Sequence, residues 1–250
     1  MSWLTKGVNS AKALREEKQK QEAIAASIGR LPRFWLNAGE EARITFVDGE
    51  LAQDGLNKNC LTFAGYHEHH LQINGQWGNY FVCLHSDGGT KCPLCEEDHK
   101  ASFVGALTII DHREIKSKDG TKVYKDQKKL FIATTNTLMV LQQLAAKRGG
   151  LQGCTFDVYR ATKKDARVGN TFDFIEKNTV EDLQTQFVVK DANGKEVTYF
   201  TPADYEKELP FKSEAELRNL GFGVSSMGSE GSAFKETSKG SSSEDYSGDL

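Results

Sequence analysis

The sequence predicts an α+β, mainly β chain whose short strands close into a five-stranded Greek-key barrel around one core, with a metal-bearing subdomain embedded in it. Three observations predict this. Short segments alternate apolar and polar residues or are rich in β-branched ones, and Gly, Asn and Asp separate them. A single strong helical pattern stands among those segments. Three of the five cysteines crowd into thirteen residues, which in a cytosolic chain favours metal over a disulfide framework.

Residues 10–28, SAKALREEKQKQEAIAASI, read as a helix that Ser10 can cap. Its apolar stripe (Ala13, Leu14, Ile24, Ile28) is thin, so it has little to bury against a core and suits a partner instead. Residues 1–33 carry seven Lys/Arg against three Glu, which makes 1–30 a basic helical extension. Gly29 and Pro32 end it. Ala42–Asp48 alternates as a strand, Ser102–Asp111 is a second strand, and Lys122–Thr134 a third after an Asp119-Gly120 turn. Asn136–Arg148 reads as a helix with Asn136 as cap, Leu138, Leu141 and Leu144 on one face, and Gly149-Gly150 as terminator. Cys154–Thr162 and Thr171–Glu176 resume strands. Strands interrupted by one helix in this way suggest an OB-fold over residues 31–224, with the metal subdomain at about 60–100.

Pro202–Leu209 and Ser213–Leu220 look like short helices. Residues 225–250 hold two Lys against five Asp/Glu in a Ser/Gly background, and are expected to be disordered because they bury too little apolar surface to offset chain entropy. No apolar run approaches the ~20 residues that cross a bilayer, and the N-terminus MSWLTKGVNS has no signal-type apolar region. A cytoplasmic protein with no membrane partner is therefore expected. The net charge of -3 hides a basic head and an acidic tail, a layout common among nucleic-acid proteins.

The cysteine spacing is the most specific feature. Cys92-Pro93-Leu94-Cys95 supplies two ligands from one tight knuckle, Cys83 a third, and an upstream His the fourth. Three thiolates and an imidazole suit one structural Zn²⁺ per chain, with a local charge near -1. His67, His69, His70 and His85 are all nearby, and spacing alone does not choose among them. A glutaredoxin-type redox pair would sit near the start of a βαβ pattern, which is not seen. A nucleobase deaminase needs H-x-E and P-C-x-x-C, but Lys91 precedes Cys92 and His67-Glu68-His69-His70 contains no H-x-E. A metalloprotease H-E-x-x-H would need His at position 71, where Leu71 stands. Buried free thiols are the bland reading.

The segment His70-LQINGQWGNYFV-Cys83 followed by Cys92-Pro-Leu-Cys95 resembles the zinc segment of the T-even-type bacteriophage single-stranded DNA-binding (helix-destabilising) proteins. That family carries a His, an Asn-Gly-x-Trp and a Cys twelve residues after the His, then Cys-Pro-x-Cys. The resemblance implies His70 as the fourth ligand, Asn74-Gly75 as the turn and Trp77 as the aromatic beside the site. Leu36–Phe46 resembles the family's first core strand. Lys100-Ala-Ser-Phe103 and Lys122-Val-Tyr-Lys125 resemble its DNA-contacting segments, which implies Lys100 and Phe103 at the interface. Phe211–Leu217 and the acidic end at Asp249-Leu250 are also similar. The family's short N-terminal Lys/Arg-rich run ending in Ser-Thr is missing, with only Thr5-Lys6 near that place. The resemblance implies an OB-fold core, coating of single-stranded DNA in replication, recombination and repair, contacts with neighbouring protomers, and tail-mediated contacts with replication and recombination proteins.

Single strands are held by a basic groove with aromatic platforms for bases. Arg113, Lys116, Lys118, Lys122, Lys125, Lys128 and Lys129 fall in one stretch with Tyr124 and Phe131 interleaved. Arg160, Lys163, Lys164 and Arg167 follow Tyr159 on the next predicted strand. The bland reading is solvated lysines and a core Phe131. No P-loop, G-x-S-x-G or dinucleotide fingerprint appears, so a non-enzymatic binding protein is expected. The alternatives are a zinc-dependent nucleic-acid enzyme, which an open metal position would favour, and an RNA-binding regulator, which a preference for RNA would favour.

Overall fold

The computed structural model describes residues 30–53, 59–73, 76–87, 91–116, 121, 123–190 and 194–223. The expected helix 10–28, Asn74-Gly75, Lys118, Lys122, the side chain of Trp77 and the acidic stretch 225–250 lie outside the described residues.

A mainly β body is built on one antiparallel sheet. Strand β1 (Glu41–Phe46) turns Ala42, Ile44 and Phe46 into the core by simple alternation. The short hairpin β2 (Leu51–Gln53) and β3 (Asn59–Leu61) leads to β4 (Ala64–Ile73) and β5 (Gln76–Val82). Next come a 3-10 turn, Leu84–Asp87, and helix α1 (Pro93–Glu96). Strand β6 (Ala101–Asp111) is buried from Val104 onwards on both faces, because it is central. Along one edge it pairs with β9 (Gln127–Thr134), and along the other with β4 and then β1. Its run of apolar residues thus reflects two covered faces rather than a helix. A small arm, β7 (Ile115–Lys116) with β8 (Val123–Tyr124), tips the β6–β9 hairpin. The predicted strand from Lys122 is broken at Asp126, which has a positive φ of 54°.

Helix α2 (Thr135–Arg148) follows β9 directly and buries Leu138, Leu141 and Ala145. Its N-cap is Thr134 rather than Asn136, and it ends at Gly149 with φ 69°, the left-handed cap that glycine tolerates. Strands β10 (Cys154–Tyr159) and β11 (Thr171–Lys177) complete the sheet, which runs β11-β10-β1-β6 and then continues to β9. In chain order the strands β1, β6, β9 and β10 lie 4-1-2-3 in space, the Greek-key order, with β11 outermost. The two ends curl towards each other: the rings of Phe131 on β9 and Phe172 on β11 are 6.3 Å apart. Between those ends runs the segment 32–36. Phe34 N–H donates to the Leu130 carbonyl (2.7 Å) and Leu36 N–H to the Arg167 carbonyl (2.7 Å), while both side chains enter the core.

After β11, helix α3 (Val180–Gln186), capped by Thr179, packs Leu183 and Phe187 against Val47, Ile110 and Phe200. The hairpin β12 (Val188–Lys190) and β13 (Glu196–Thr198) follows, then α4 (Tyr205–Glu208) and α5 (Glu214–Asn219). Helix α5 opens with a capping box between Ser213 and Glu216. The α4 segment is anchored through Asp48, which accepts from the Tyr205 hydroxyl and from Thr108 N–H (2.9 Å). Among the described residues no helix is long and apolar enough to cross a membrane.

Candidate metal centre and nucleic-acid interface

The β4–β5 hairpin extends beyond the rest of the sheet because β4 is longer than its match on β6. Residues 64–69 pair with β6, and 68–73 pair onward with β5. This carries His69 out to meet Cys83, just past the end of β5, and Cys92 and Cys95 at the start and inside of α1. The four ligand atoms lie within 4.8 Å of one another. His69 Nε2 is 3.5 Å from Cys92 Sγ and 3.7 Å from Cys95 Sγ, and the Cys83 and Cys95 sulfurs are 3.5 Å apart. Tetrahedral zinc, at about 2.3 Å from sulfur and about 2.0 Å from nitrogen, places neighbouring ligand atoms about 3.5–3.8 Å apart. These three separations match the spacing of a zinc tetrahedron, and the four donors together could hold a metal ion.

The surroundings agree with a dication. Burial opposes ionisation of Cys92, but backbone hydrogen bonds from Cys95, Leu84 and Leu94 outweigh it and hold the thiol below its usual value. Without a cation the neighbouring sulfurs resist further charge. Burial, a hydrogen bond with Cys83 and the charge on Cys92 push Cys95 up to about 12. A bound metal is what lets such thiols ionise together. Burial also keeps His69 below the ordinary imidazole value, favouring the neutral ring that coordinates metal.

The histidine is a correction to the resemblance, which implies His70. Neighbours on a strand point to opposite faces, so only one of the two reaches the cysteines. His70 lies on the other face, its ring stacked on Tyr80 at 4.5 Å and 8°. The hairpin register also shifts between Leu71 and Ile73, so counting back from Cys83 misses by one.

The predicted basic residues divide sharply. Lys129 is buried, 6% exposed, and donates to Asp111 at 2.8 Å. It shares the inward parity of Phe131, and consecutive lysines on a strand cannot both face solvent. Arg113 is bound to the same carboxylate (2.8 Å) and to the Trp35 carbonyl. Burial of Asp111 pushes its pKa up, but hydrogen bonds from Arg113 and Lys129 outweigh this and hold it below the usual carboxylate range. Arg160 clamps the carbonyls of Leu36 (2.7 Å) and Lys163 (2.9 Å), and Lys128 donates to Thr201 (3.2 Å). These four are framework. Lys100, Lys116, Lys125, Lys163, Lys164 and Arg167 are exposed, as are Tyr124, Tyr159 and Phe103. Phe103 meets Phe63 edge-on at 6.3 Å over the register pair Gly65 and Gly105, where an added Cβ would strike those rings. Phe131 is core, as the bland reading has it.

The structure also brings the predicted Arg167 together with Arg33, Trp35 and Tyr80, which sequence reasoning missed. Arg33 lies 3.9 Å over the Tyr80 ring while its guanidinium bridges to Glu68. Arg167, in the loop 160–170, donates to the Tyr80 hydroxyl (3.3 Å) and lies 6.0 Å over Trp35, which is 48% exposed. Gly169, φ 90°, lets this loop approach the barrel, because a Cβ there would lie 2.5 Å from Val158. Arg33, Trp35, Tyr80 and Arg167 come from three distant segments. Arg167 is among the predicted basic residues, but Trp35, flanked by Phe34 and Leu36, and Tyr80, followed by Phe81, carry no local sequence signal.

Compared with protein-family models, curated proteins and solved structures, the chain shows no match.

Proposed function

We propose that this chain is a non-enzymatic protein that binds single-stranded DNA without sequence preference, on an OB-type barrel with one structural zinc. The observation that carries the reading is the exposed surface between the zinc hairpin and the loop 160–170. There Trp35 offers an aromatic face, Arg167 an exposed guanidinium, and Lys163 and Lys164 stand exposed on the loop, while Arg33, held between Glu68 and the Tyr80 ring, backs the surface. A basic groove with aromatic faces is what a sequence-tolerant single-strand site needs. The 4-1-2-3 strand order with β11 added, and the helix between the third and fourth of these strands, support the OB-type assignment, a partly open Greek-key barrel. The resemblance of the Cys83–Cys95 segment points the same way. Four protein donors fill the tetrahedron, which supports a structural rather than a catalytic metal. On this reading the basic residues 1–30 contact neighbouring protomers along the strand, and 225–250 contact replication and recombination proteins.

A salt titration with oligo-dT, duplex DNA and RNA of equal length tests it. Affinity for oligo-dT is expected to fall with a log–log slope of about -0.7 per phosphate neutralised. Lys164→Ala lowers that slope by about 0.7, whereas Trp35→Ala loses ~1–3 kcal/mol with the slope unchanged. Salt-independent affinity or tighter duplex binding overturns the proposal, and a preference for RNA replaces it with the RNA-binding regulator.

A further inference from the structure

The zinc hairpin is completed by the far end of the chain. Leu217 of α5 is fully buried in one cluster with Cys83, Cys92 and Leu94. Arg218 bridges to Glu96 on α1 at 3.1 Å and donates to the Gly223 carbonyl at 2.7 Å. Gly223 N–H in turn donates to Glu97 at 2.6 Å. Phe222 packs edge-on against Phe81 (6.0 Å) and His99 (6.3 Å).

The platform that receives these groups is α1, only four residues long and without a side-chain cap. So short a helix does not hold itself in water. Two of its residues, Cys92 at the cap and Cys95 inside, are in the ligand set, so metal ligation is what fixes its position. Helix α5, six residues long, is equally unable to stand alone, and among the described residues its buried Leu217 packs in this cluster.

We propose that the metal held by His69, Cys83, Cys92 and Cys95 docks α5, and that metal loss releases residues 213–223 as a unit. The linkage is reciprocal: whatever undocks α5 weakens metal retention by the same factor. The acidic residues 225–250 continue directly from this docked end, so the metal state also sets whether that stretch starts from a fixed point.

Hydrogen exchange on the full chain, zinc-loaded and after zinc is stripped by a chelator, reads this directly. Amides in 213–223 are expected to lose protection together with those in 84–97, while β10 and β11 keep theirs. Leu217→Ala and, separately, Arg218→Ala retain all four ligands. In equilibrium zinc transfer to a competing chromophoric chelator, either variant is expected to hold zinc about tenfold more weakly, within the ~5- to 150-fold span of coupled sites. Retained protection in 213–223 after 84–97 opens, or unchanged transfer from both variants, overturns the coupling and leaves the metal assignment standing. Absence of zinc from protein purified without chelator overturns both. Neither readout involves DNA, so the result is independent of the single-strand reading.

Discussion

The core of the main sheet and the β4–β5 hairpin with its candidate metal ligands are packed differently. The barrel cluster buries eighteen residues, with Phe34, Phe46, Phe131 and Phe156 packed ring to ring at 5.4–5.9 Å. The hairpin cluster buries seven, two of them candidate ligands and one borrowed from α5. A buried large apolar side chain contributes about 1.5–3 kcal/mol, so the first cluster supports a fold by itself and the second does not. A unit of about 40 residues normally needs a metal or a crosslink. The difference teaches that apolar packing can set the shape of the main sheet by itself, whereas the hairpin carries its own candidate crosslink, the His69, Cys83, Cys92 and Cys95 cluster.

The strongest way to break this comparison is to remove a ligand. His69→Ala is expected to abolish stoichiometric zinc and melt the hairpin, since structural zinc contributes ~10–16 kcal/mol of apparent binding energy. The barrel should persist as a separate unfolding transition. His70→Ala should keep one zinc per chain, as measured by elemental analysis. Zinc loss from the His70 variant alone would reverse the assignment.

Next in size is a barrel lesion. Phe131 stacks on Phe34 at 5.7 Å and meets Phe46 and Phe172, so Phe131→Ala is expected to cost ~3–5 kcal/mol in chemical denaturation. Zinc content below the transition should be unchanged. A variant that lost zinc before its barrel unfolded would show the two regions to be one unit.

The smallest effect concerns pH at the joint between barrel and C-terminal segment. Burial pushes the Asp48 carboxyl up to about 6, against hydrogen bonds from Tyr205 and Thr108 that favour the charged form. A folded value above the unfolded one of 3.8 means the contribution is complete below that value and is lost as pH rises through about 6. The difference in stability between the wild type and Asp48→Asn should therefore change by about 2–3 kcal/mol across that window and be flat above it. Urea titrations at several pH values measure this, and a flat difference throughout would remove Asp48 as the cause.

Much of the barrel was legible in the sequence. The runs 42–46, 102–111 and 154–159 alternate or carry β-branched residues as buried strands do, and Gly149 marked the helix end correctly. The cysteines were legible because a metal knuckle needs close spacing along the chain. The histidine was not, because strand parity depends on a register shift that no single-chain pattern reveals. Lys129 carried a missed clue: Lys128 and Lys129 are adjacent on one strand, so one had to turn inward towards a carboxylate, and Asp111 is there. The small elements α3, β12 and β13 were missed because three to seven residues give too little periodicity to read. The Trp35–Tyr80 surface was illegible for another reason, since its members meet only after the sheet curls.

The placement of the hairpin between the first and second strands of the Greek key has a consequence for the order of assembly. Ile44 must find Asp111 across a loop of roughly 65 residues, a slow, entropically costly closure. A metal captured there would join His69 to Cys92 and Cys95, which lie where β4 pairs with the first half of β6. That clasp would shorten the loop still to be closed by about a third, lowering the closure cost by about 0.4 kcal/mol and quickening the step roughly twofold. A chain made in a zinc-poor medium would thus reach its barrel later, spending longer with β1 and β6 apart and their edges open to other chains.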